Sequence, residues 1–461
     1  LFRSYIMDTS KHVLILGAGP AGLNAAKLLA AEGFKITIVD KEIGGNYCRS
    51  GSVISNSLLY QSRIFANCSD KLQSLVSGDE CSSLSFDFRK SRKLTEQAVA
   101  RIRKALAEDI ENLDINFVYG FGKFASENSV TVTSVDGNVE IRFDYCVIAT
   151  GSSDINPGLS SSVKLLTVSS INDLEKVPSK ITILGGGFVG CEFATIFRRL
   201  GSAVTIIEAK DEILRDMDQQ IVKKLEEKFK KNGIEILKNT KVEKAEKVGN
   251  KYILFLSGGV KLETEEVFVA VGRKSNTCCL DLDKAGIKLE PNGSLKLNKK
   301  MRTTNPNVYA VGDSSGGNML VSWAYTTSEI AADAIIGNKT AKPWETMPRV
   351  LYLDPEIAKV GFTEDELKDY AGEYACIKYN ISDLEKTLIS GAQKGYMKVV
   401  YDKETRKILG CHVIGDGAGQ ICSMFSLLIQ SGITIDKISD YVFNHPTYAE
   451  VLNDIASKVK Q

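Results

Sequence analysis

Two stretches of this chain carry the residue types that can hold a dinucleotide. HVLILGAGPAGLNAAKLLAAEGFKITIVDK begins at His12, and KITILGGGFVGCEFATIFRRLGSAVTIIEA begins at Lys180; they align without a gap at an offset of 168 residues. Each contains GxGxxG, as Gly17, Gly19 and Gly22 in the first and Gly185, Gly187 and Gly190 in the second. Each ends in an acid, Asp40 or Glu208, 23 residues after its first glycine. The first glycine permits a tight turn, the second lets the backbone approach a pyrophosphate, and the third lets helix and strand pack closely. Free N–H groups and the positive dipole end of the following helix attract phosphate. The acid accepts hydrogen bonds from a ribose. A carboxylate at Glu208 also repels a 2′-phosphate, which favours NADH over NADPH.

The elements that must position these residues follow from the pattern. In each repeat an apolar run of strand length leads into the glycine turn, a helix follows, and a second apolar run ends in the acid. This is the βαβ unit of a doubly wound sheet, present twice. The 461 residues are enough for roughly three domains at about 150 residues each. With 43% hydrophobic and 25% charged residues the composition is that of a soluble globular protein. A formal net charge of +1 excludes a global field for nucleic acid or an anionic membrane, and no uncharged apolar run is long enough to span a bilayer. Met7 is a candidate native start, because LFRSYI before it has no signal-peptide character. The ten cysteines, Cys81 among them, form no CxxC and no zinc spacing, so no metal site is expected. Reduced thiols in a cytoplasmic protein are the expectation.

Further landmarks fall in order: CVIATGSS from Cys146, VFVAVGRKSNT from Val267, TTNPNVYAVGDSSGGNMLVSWA from Thr303 and FNHPTYAE from Phe443. Together with the two fingerprints, this set resembles the pyridine nucleotide–disulfide oxidoreductases, and within them the dihydrolipoamide dehydrogenases, over essentially the whole chain from Lys11. The resemblance implies an α/β fold of two Rossmann-like dinucleotide-binding domains plus a C-terminal α+β dimerisation domain. The expected boundaries are 7–155 for the first part of the FAD domain, 156–275 for the NAD domain, 276–345 for the remaining FAD-binding part and 346–461 for dimerisation.

Residue by residue, it implies an FAD site at Gly17, Gly19, Gly22 and Asp40 with Lys41, Gly45, Gly122, Thr150, Gly151 and Ser152. Asp313 would hold the ribityl chain, and Met319, Leu320, Val321 and Ser322 would line the isoalloxazine. Gly185, Gly187, Gly190 and Glu208, with Val242 and Gly272 beside them, match an NAD site. His445 and Glu450 match the pair that faces the partner subunit's flavin in a homodimer. His12 and His412 are expected to be structural.

The stretch GGNYCRSGSVISNSLL, Gly44 to Leu59, departs from the family. There the pattern is GGTCxxxGCxPSKxLL, with two cysteines forming the redox disulfide. In the gapless register Tyr47 and Ser52 stand at the cysteine positions, Ile54 at the proline and Asn56 at the lysine. Cys48 is one place late, and the expectation for it is a buried, inert thiol. A dithiol relay needs two sulfurs. The family lysine pairs with the glutamate matched by Glu192, so Glu192 is expected to ionise less readily here.

The resulting expectation is an FAD-dependent NADH oxidoreductase that passes electrons directly to a small-molecule acceptor, such as a quinone or dye, without a disulfide relay. The alternatives are a dihydrolipoamide dehydrogenase homologue with lost or altered activity, a soluble transhydrogenase-like enzyme, and a non-enzymatic NADH-responsive flavoprotein subunit.

Overall fold

A computed structural model describes residues 11–68, 84–159, 164–338, 346–391 and 395–460. Met7 and Cys81 lie outside the described residues.

Three sheets organise the chain. The first orders the strands Val308–Ala310, Tyr145–Ile148, His12–Leu16, Lys35–Asp40 and Asn116–Tyr119, all parallel. The second orders Ile234–Leu237, Ala203–Ile207, Lys180–Leu184 and Glu266–Val269, also all parallel. Val13 to Leu16 and Ile181 to Leu184 are buried throughout. Both faces of these strands are covered, which is why the sequence reads as continuous apolar runs rather than alternation.

The repeat extends past the fingerprint. A three-stranded antiparallel sheet (Phe121–Ser126, Ser129–Ser134, Gly137–Arg142) accompanies the first parallel sheet. A second one (Val242–Val248, Lys251–Leu256, Lys261–Thr264) accompanies the other. The strand Val308–Ala310 returns the chain to the first sheet after the second has formed. The helix that follows it, Val321–Ile336, packs on the fingerprint helix Pro20–Ala31, and the two share one apolar core.

The third sheet is antiparallel, ordered Arg349–Leu351, Ile357–Gly361, Ile408–Ile414, Tyr396–Asp402 and Tyr374–Asn380. Helices Ala418–Gln430 and Val451–Lys460 share its apolar core. The fold is therefore mixed α/β, with two parallel-sheet nucleotide-type units and a C-terminal α+β unit. No helix among the described residues is long and apolar enough to cross a membrane.

One buried ion cluster ties the third sheet to the second. Lys398, only 1% exposed, bridges Asp218 and Glu364, the latter at 2.5 Å. Asp218 is itself buried and caps the helix Gln219–Lys231 by accepting from the backbone N–H of Gln220 and Ile221. Removing the ammonium leaves a buried carboxylate without its counter-charge. Lys398→Met should therefore destabilise the protein by about 3–5 kcal/mol, read as a drop in the urea midpoint. A change below about 1 kcal/mol would show that the cluster behaves as a surface pair.

Candidate functional site

The two glycine turns share one geometry. Gly17 has φ +117° and Gly185 has φ +103°. At the third position a Cβ on Gly22 would stand 2.0 Å from the Gly17 carbonyl oxygen, and one on Gly190 would stand 1.9 Å from that of Gly185. The second glycines, Gly19 and Gly187, have nothing within 4 Å of a Cβ position. Two contacts are thus too close for any side chain, and between them lies an open approach to the helix N-terminus. Asp40 Oδ2 accepts from Ala18 N at 2.6 Å, and Glu208 Oε2 accepts from Gly186 N at 2.7 Å. Each acid is held at the rim of its own turn, where a ribose would lie. These observations fit a dinucleotide at each turn.

Gly44 and Gly45 dock on the first turn. Gly44 N donates to Ala18 O at 2.9 Å, and a Cβ on Gly45 would stand 3.2 Å from Gly19 Cα. This seating places the short helix Gly45–Arg49 and the helix Ser52–Asn67 along a cavity of about 640 Å³. Gly19, Asp40, Gly45, Thr150, Gly151 and Asp313 line one part of it. Met319, Leu320, Val321 and Ser322 line another, as do Tyr47, Ser52, Asn56 and Glu192. Met319 has φ +44°, a left-handed conformation that a non-glycine residue rarely adopts. Glu192 arrives from the helix Phe188–Arg199, whose first turn starts at Gly187, so one helix serves both the second nucleotide turn and the cavity.

A polar network behind this wall was not apparent in the sequence. Ser152 Oγ donates to Asp313 Oδ2 at 2.5 Å and accepts from Arg273 Nε at 2.8 Å. Arg273 also pairs with Asp154, and Asn46 donates to the Ser152 carbonyl. Arg49 reaches Asn46 Oδ1 at 2.5 Å and Glu42 at 2.9 Å. Arg273 and Asn276, which line the cavity, sit in the VGRKSN stretch beside Gly272.

Among the described residues Glu192 has no cation beside it. Its side chain accepts a long hydrogen bond from Tyr352 N at 3.4 Å, and desolvation pushes its pKa up from 4.5 to about 7. Asn56 turns along its own helix and donates to Ser52 O at 2.8 Å. The Tyr47 hydroxyl is pushed up chiefly by burial, with Tyr325 and Cys48 adding to it. Cys48 is 2% exposed; burial raises its pKa, and the Arg103 guanidinium offsets this only partly. Neither Cys48 nor Cys191 lines the cavity, and among the described residues no cysteine does.

His445 and Glu450 stand apart from the cavity lining. His445 Nδ1 lies 2.9 Å from Glu450 Oε1, and Nε2 lies 3.4 Å from Glu385 Oε2. The bond to Glu450 raises the imidazole pKa. Gly122, Val242, Gly272 and Lys41 also lie off the cavity. Gly122 packs under Leu16 and Val130, where a Cβ would stand 2.9 Å from each. Val242 opens an antiparallel strand over the core of the second sheet, and the Gly272 carbonyl accepts from Ile155 N. Lys41 is exposed, with its ammonium over the Phe121 ring. His12 and His412 are structural: His12 bonds Thr37 and the Arg142 carbonyl, and the buried His412 bonds the Phe362 carbonyl.

Two glycine turns built for dinucleotides, joined by one helix to a shared cavity, define an oxidoreductase that couples a flavin to a nicotinamide nucleotide. Sequence comparison agrees. Residues 11–328 match the pyridine nucleotide-disulphide oxidoreductases and residues 347–456 match their dimerisation domain, so the chain belongs to that family of FAD-dependent enzymes. It is 31% identical to the dihydrolipoyl dehydrogenase of Chlamydia pneumoniae over 440 residues, covering 95% of this chain and 94% of that one. It is 31% identical over 452 residues to that of Staphylococcus aureus, covering 96% of each. Among solved structures, LpdA from Mycobacterium tuberculosis superposes with a TM-score of 0.90 at 21% identity, covering 97% of this chain and 99% of that one. The Cu(II) complex of the HOCl-induced flavoprotein disulfide reductase RclA from Escherichia coli gives 0.86 at 23% identity, covering 98% and 99%. At these identities the two structures speak for the fold.

The raised pKa of Glu192 has a thermodynamic sign. The folded chain holds this proton more tightly than the unfolded one, so the stability it contributes is fully present below pH 4.5 and is lost as pH rises through about 7. Glu192→Gln should flatten the fall in unfolding midpoint over that window, and Asn56→Lys should flatten it too by holding the carboxylate charged. Unchanged slopes in both variants would contradict the assignment.

Proposed function

We propose that this chain is an FAD-dependent NADH oxidoreductase whose electrons go directly to a non-disulfide acceptor such as a quinone or dye. The observation that carries the reading is the cavity wall. Tyr47 and Ser52 stand where the family motif has its two cysteines, and the cysteine between them, Cys48, is buried away from the cavity. The first turn and Asp40, with Asp313 and the 319–322 segment, would hold FAD; the second turn and Glu208 would hold the nicotinamide nucleotide. When bound, FAD supplies hydride acceptance and onward electron transfer.

The rest is the work of the chain's own residues. Glu208, fixed by Gly186 N–H, can accept from a ribose 2′-hydroxyl and repel a 2′-phosphate, which supports NADH. Tyr47 fills the wall with an aromatic ring that has no sulfur chemistry. Glu192, with a pKa of about 7, can hold or release a proton near neutral pH. Glu450 orients His445 by accepting from Nδ1, and Nε2, 3.4 Å from Glu385 Oε2, is the nitrogen that would exchange a proton. The exposure of that pair, and the dimerisation domain that carries it, support a homodimer in which it completes the partner's cavity. The cysteines of the described residues are free, which fits a reducing, cytoplasmic setting.

The relatives at 31% identity favour a second reading, a dihydrolipoyl dehydrogenase that has kept its reaction. An acceptor panel on purified protein separates the two. NADH with quinones or dyes should give turnover, NADPH should reduce the flavin more slowly than NADH, and dihydrolipoamide with NAD should give almost none. Tyr47→Cys with Ser52→Cys should restore part of the lipoamide reaction and a long-wavelength charge-transfer band. Full recovery is not expected, since a misplacement of about 1 Å can cost about 100-fold. Turnover of dihydrolipoamide by the parent protein at a rate typical of an enzyme would favour the second reading, with Cys48→Ser as the next variant.

His445→Ala should slow reoxidation by quinone more than reduction by NADH, measured by rapid mixing. An equal effect on both half-reactions would leave the histidine as an interface residue.

A further inference from the structure

The strand Arg349–Leu351 separates two cavities. Its side chains alternate: Pro348 and Val350 line the large cavity described above, while Arg349 lines a second one of about 250 Å³ on the opposite side. Lys359 enters the same cavity from the neighbouring strand Ile357–Gly361. Arg349 and Lys359 are direct cross-strand partners in that antiparallel pair, so two like charges share one face. Such a placement is unfavourable unless something negative lies between them.

Among the described residues one carboxylate, Glu366, pairs directly with Lys359, and the charge of Asp216 acts on it as well. Lys359 is 4% exposed; its ammonium donates to Asp216 O at 2.9 Å and lies 3.3 Å from Glu366 Oε2. That oxygen also accepts from Thr363 N at 2.8 Å and Thr363 Oγ1 at 3.1 Å, so the carboxylate is tied into its loop. The Arg349 side chain, half-buried, makes no hydrogen bond and no ion pair among the described residues. Burial lowers the Lys359 pKa, and Arg349 lowers it further against the pull of Glu366 and Asp216.

Trp323, Phe362 and Met347 give the cavity an apolar, partly aromatic wall, and Asn318 and Gly361 complete the lining. The indole is held in place. Its Nε1–H donates to Ser315 Oγ at 3.1 Å, and Gly317 lies against the ring, where a Cβ would stand 2.8 Å from Cζ2. A volume of about 250 Å³ is that of about eight liquid waters at about 30 Å³ each, or of a small organic acid.

We propose that this second cavity is a binding site for a small planar carboxylate, held by the Arg349 guanidinium and Lys359 ammonium with its ring against Trp323 and Phe362. A guanidinium presents a planar fork that matches a carboxylate in two hydrogen bonds, while the buried ammonium acts as a point charge. Neither role belongs to the redox reading, because Arg349 and Lys359 do not line the large cavity. The sites are nonetheless neighbours: Ser322, beside Trp323, lines the large cavity together with Pro348 and Val350. An occupant of the second cavity would therefore bear on the wall of the first.

Calorimetric titration of the purified full chain with benzoate tests this, with acetate and inorganic phosphate as comparison arms. Saturable benzoate binding is expected with Kd of about 1 mM or tighter, weaker for acetate, which has no ring. Arg349→Gln should weaken benzoate binding by about tenfold or more while leaving the visible flavin spectrum and thermal midpoint near those of the parent. If that variant folds poorly, Phe362→Ser, at a position 40% exposed, takes its place and should also weaken benzoate binding. Tighter binding of phosphate than of benzoate would overturn the carboxylate assignment. No saturable benzoate binding, or unchanged affinity in the substituted protein, would overturn the site.

Discussion

The structure depends on a contact that no side chain could occupy. The third glycine of each fingerprint sets its Cα against the carbonyl of the first, so close that a Cβ would stand 2.0 Å away in one turn and 1.9 Å away in the other. Overpacking against backbone has no inexpensive relief, because a carbonyl cannot swing aside as the end of a flexible side chain can. The contact fixes the angle at which each helix leaves its strand. From that angle follow the open N-terminus between the glycines and the position of the acid on the next strand. The first turn also seats Gly44 and Gly45, from which the short helix with Tyr47 starts. In the second, the helix set by Gly190 delivers Glu192 to the same cavity.

The chemistry of that cavity is then decided by what faces Glu192. A carboxylate in a poorly solvated wall is stabilised by a cation or else keeps its proton. Here the opposite helix supplies Asn56, whose amide turns back to its own backbone. Among the described residues, neither a cysteine nor a lysine lines that cavity. Glu192 therefore holds its proton to about neutral pH. The changes at Tyr47, Ser52 and Asn56 are thus coherent in physical terms.

The legible parts of the molecule were those in which local sequence dictates local geometry. The two βαβ units could be read because glycine spacing, apolar strands and a terminal acid all lie within one short window. Tyr47, Ser52 and Asn56 could be placed along one short stretch because they share a motif with Gly44 and Gly45. The network of Ser152 with Asp313, Arg273 and Asn46 was not legible. Its bonds join Ser152 to partners between 106 and 161 residues away, and nothing in serine or asparagine as residue types announces such partners. The direction of Cys48 was equally hidden until the helix Gly45–Arg49 turned its sulfur toward Arg103 and Glu42. Gly122 illustrates the opposite case, a motif glycine whose tight contacts in this chain are with Leu16 and Val130.

Alternation along a single strand explains how one chain can carry two cavities without either being visible in the sequence. Around Arg349–Leu351 the odd and even positions face different chambers, so Pro348 and Val350 serve one and Arg349 the other. A motif search sees only the side of such a strand that matches a family pattern. The other side is free to differ, because its residues touch neither glycine turn nor the wall at Tyr47. The excess of positive charge lies on that side, where Arg349 faces a buried Lys359 across the ladder and, among the described residues, only Glu366 pairs directly with that lysine. A protein interior tolerates such an imbalance when solvent or a ligand completes the charge, and the cavity between these residues provides room for one.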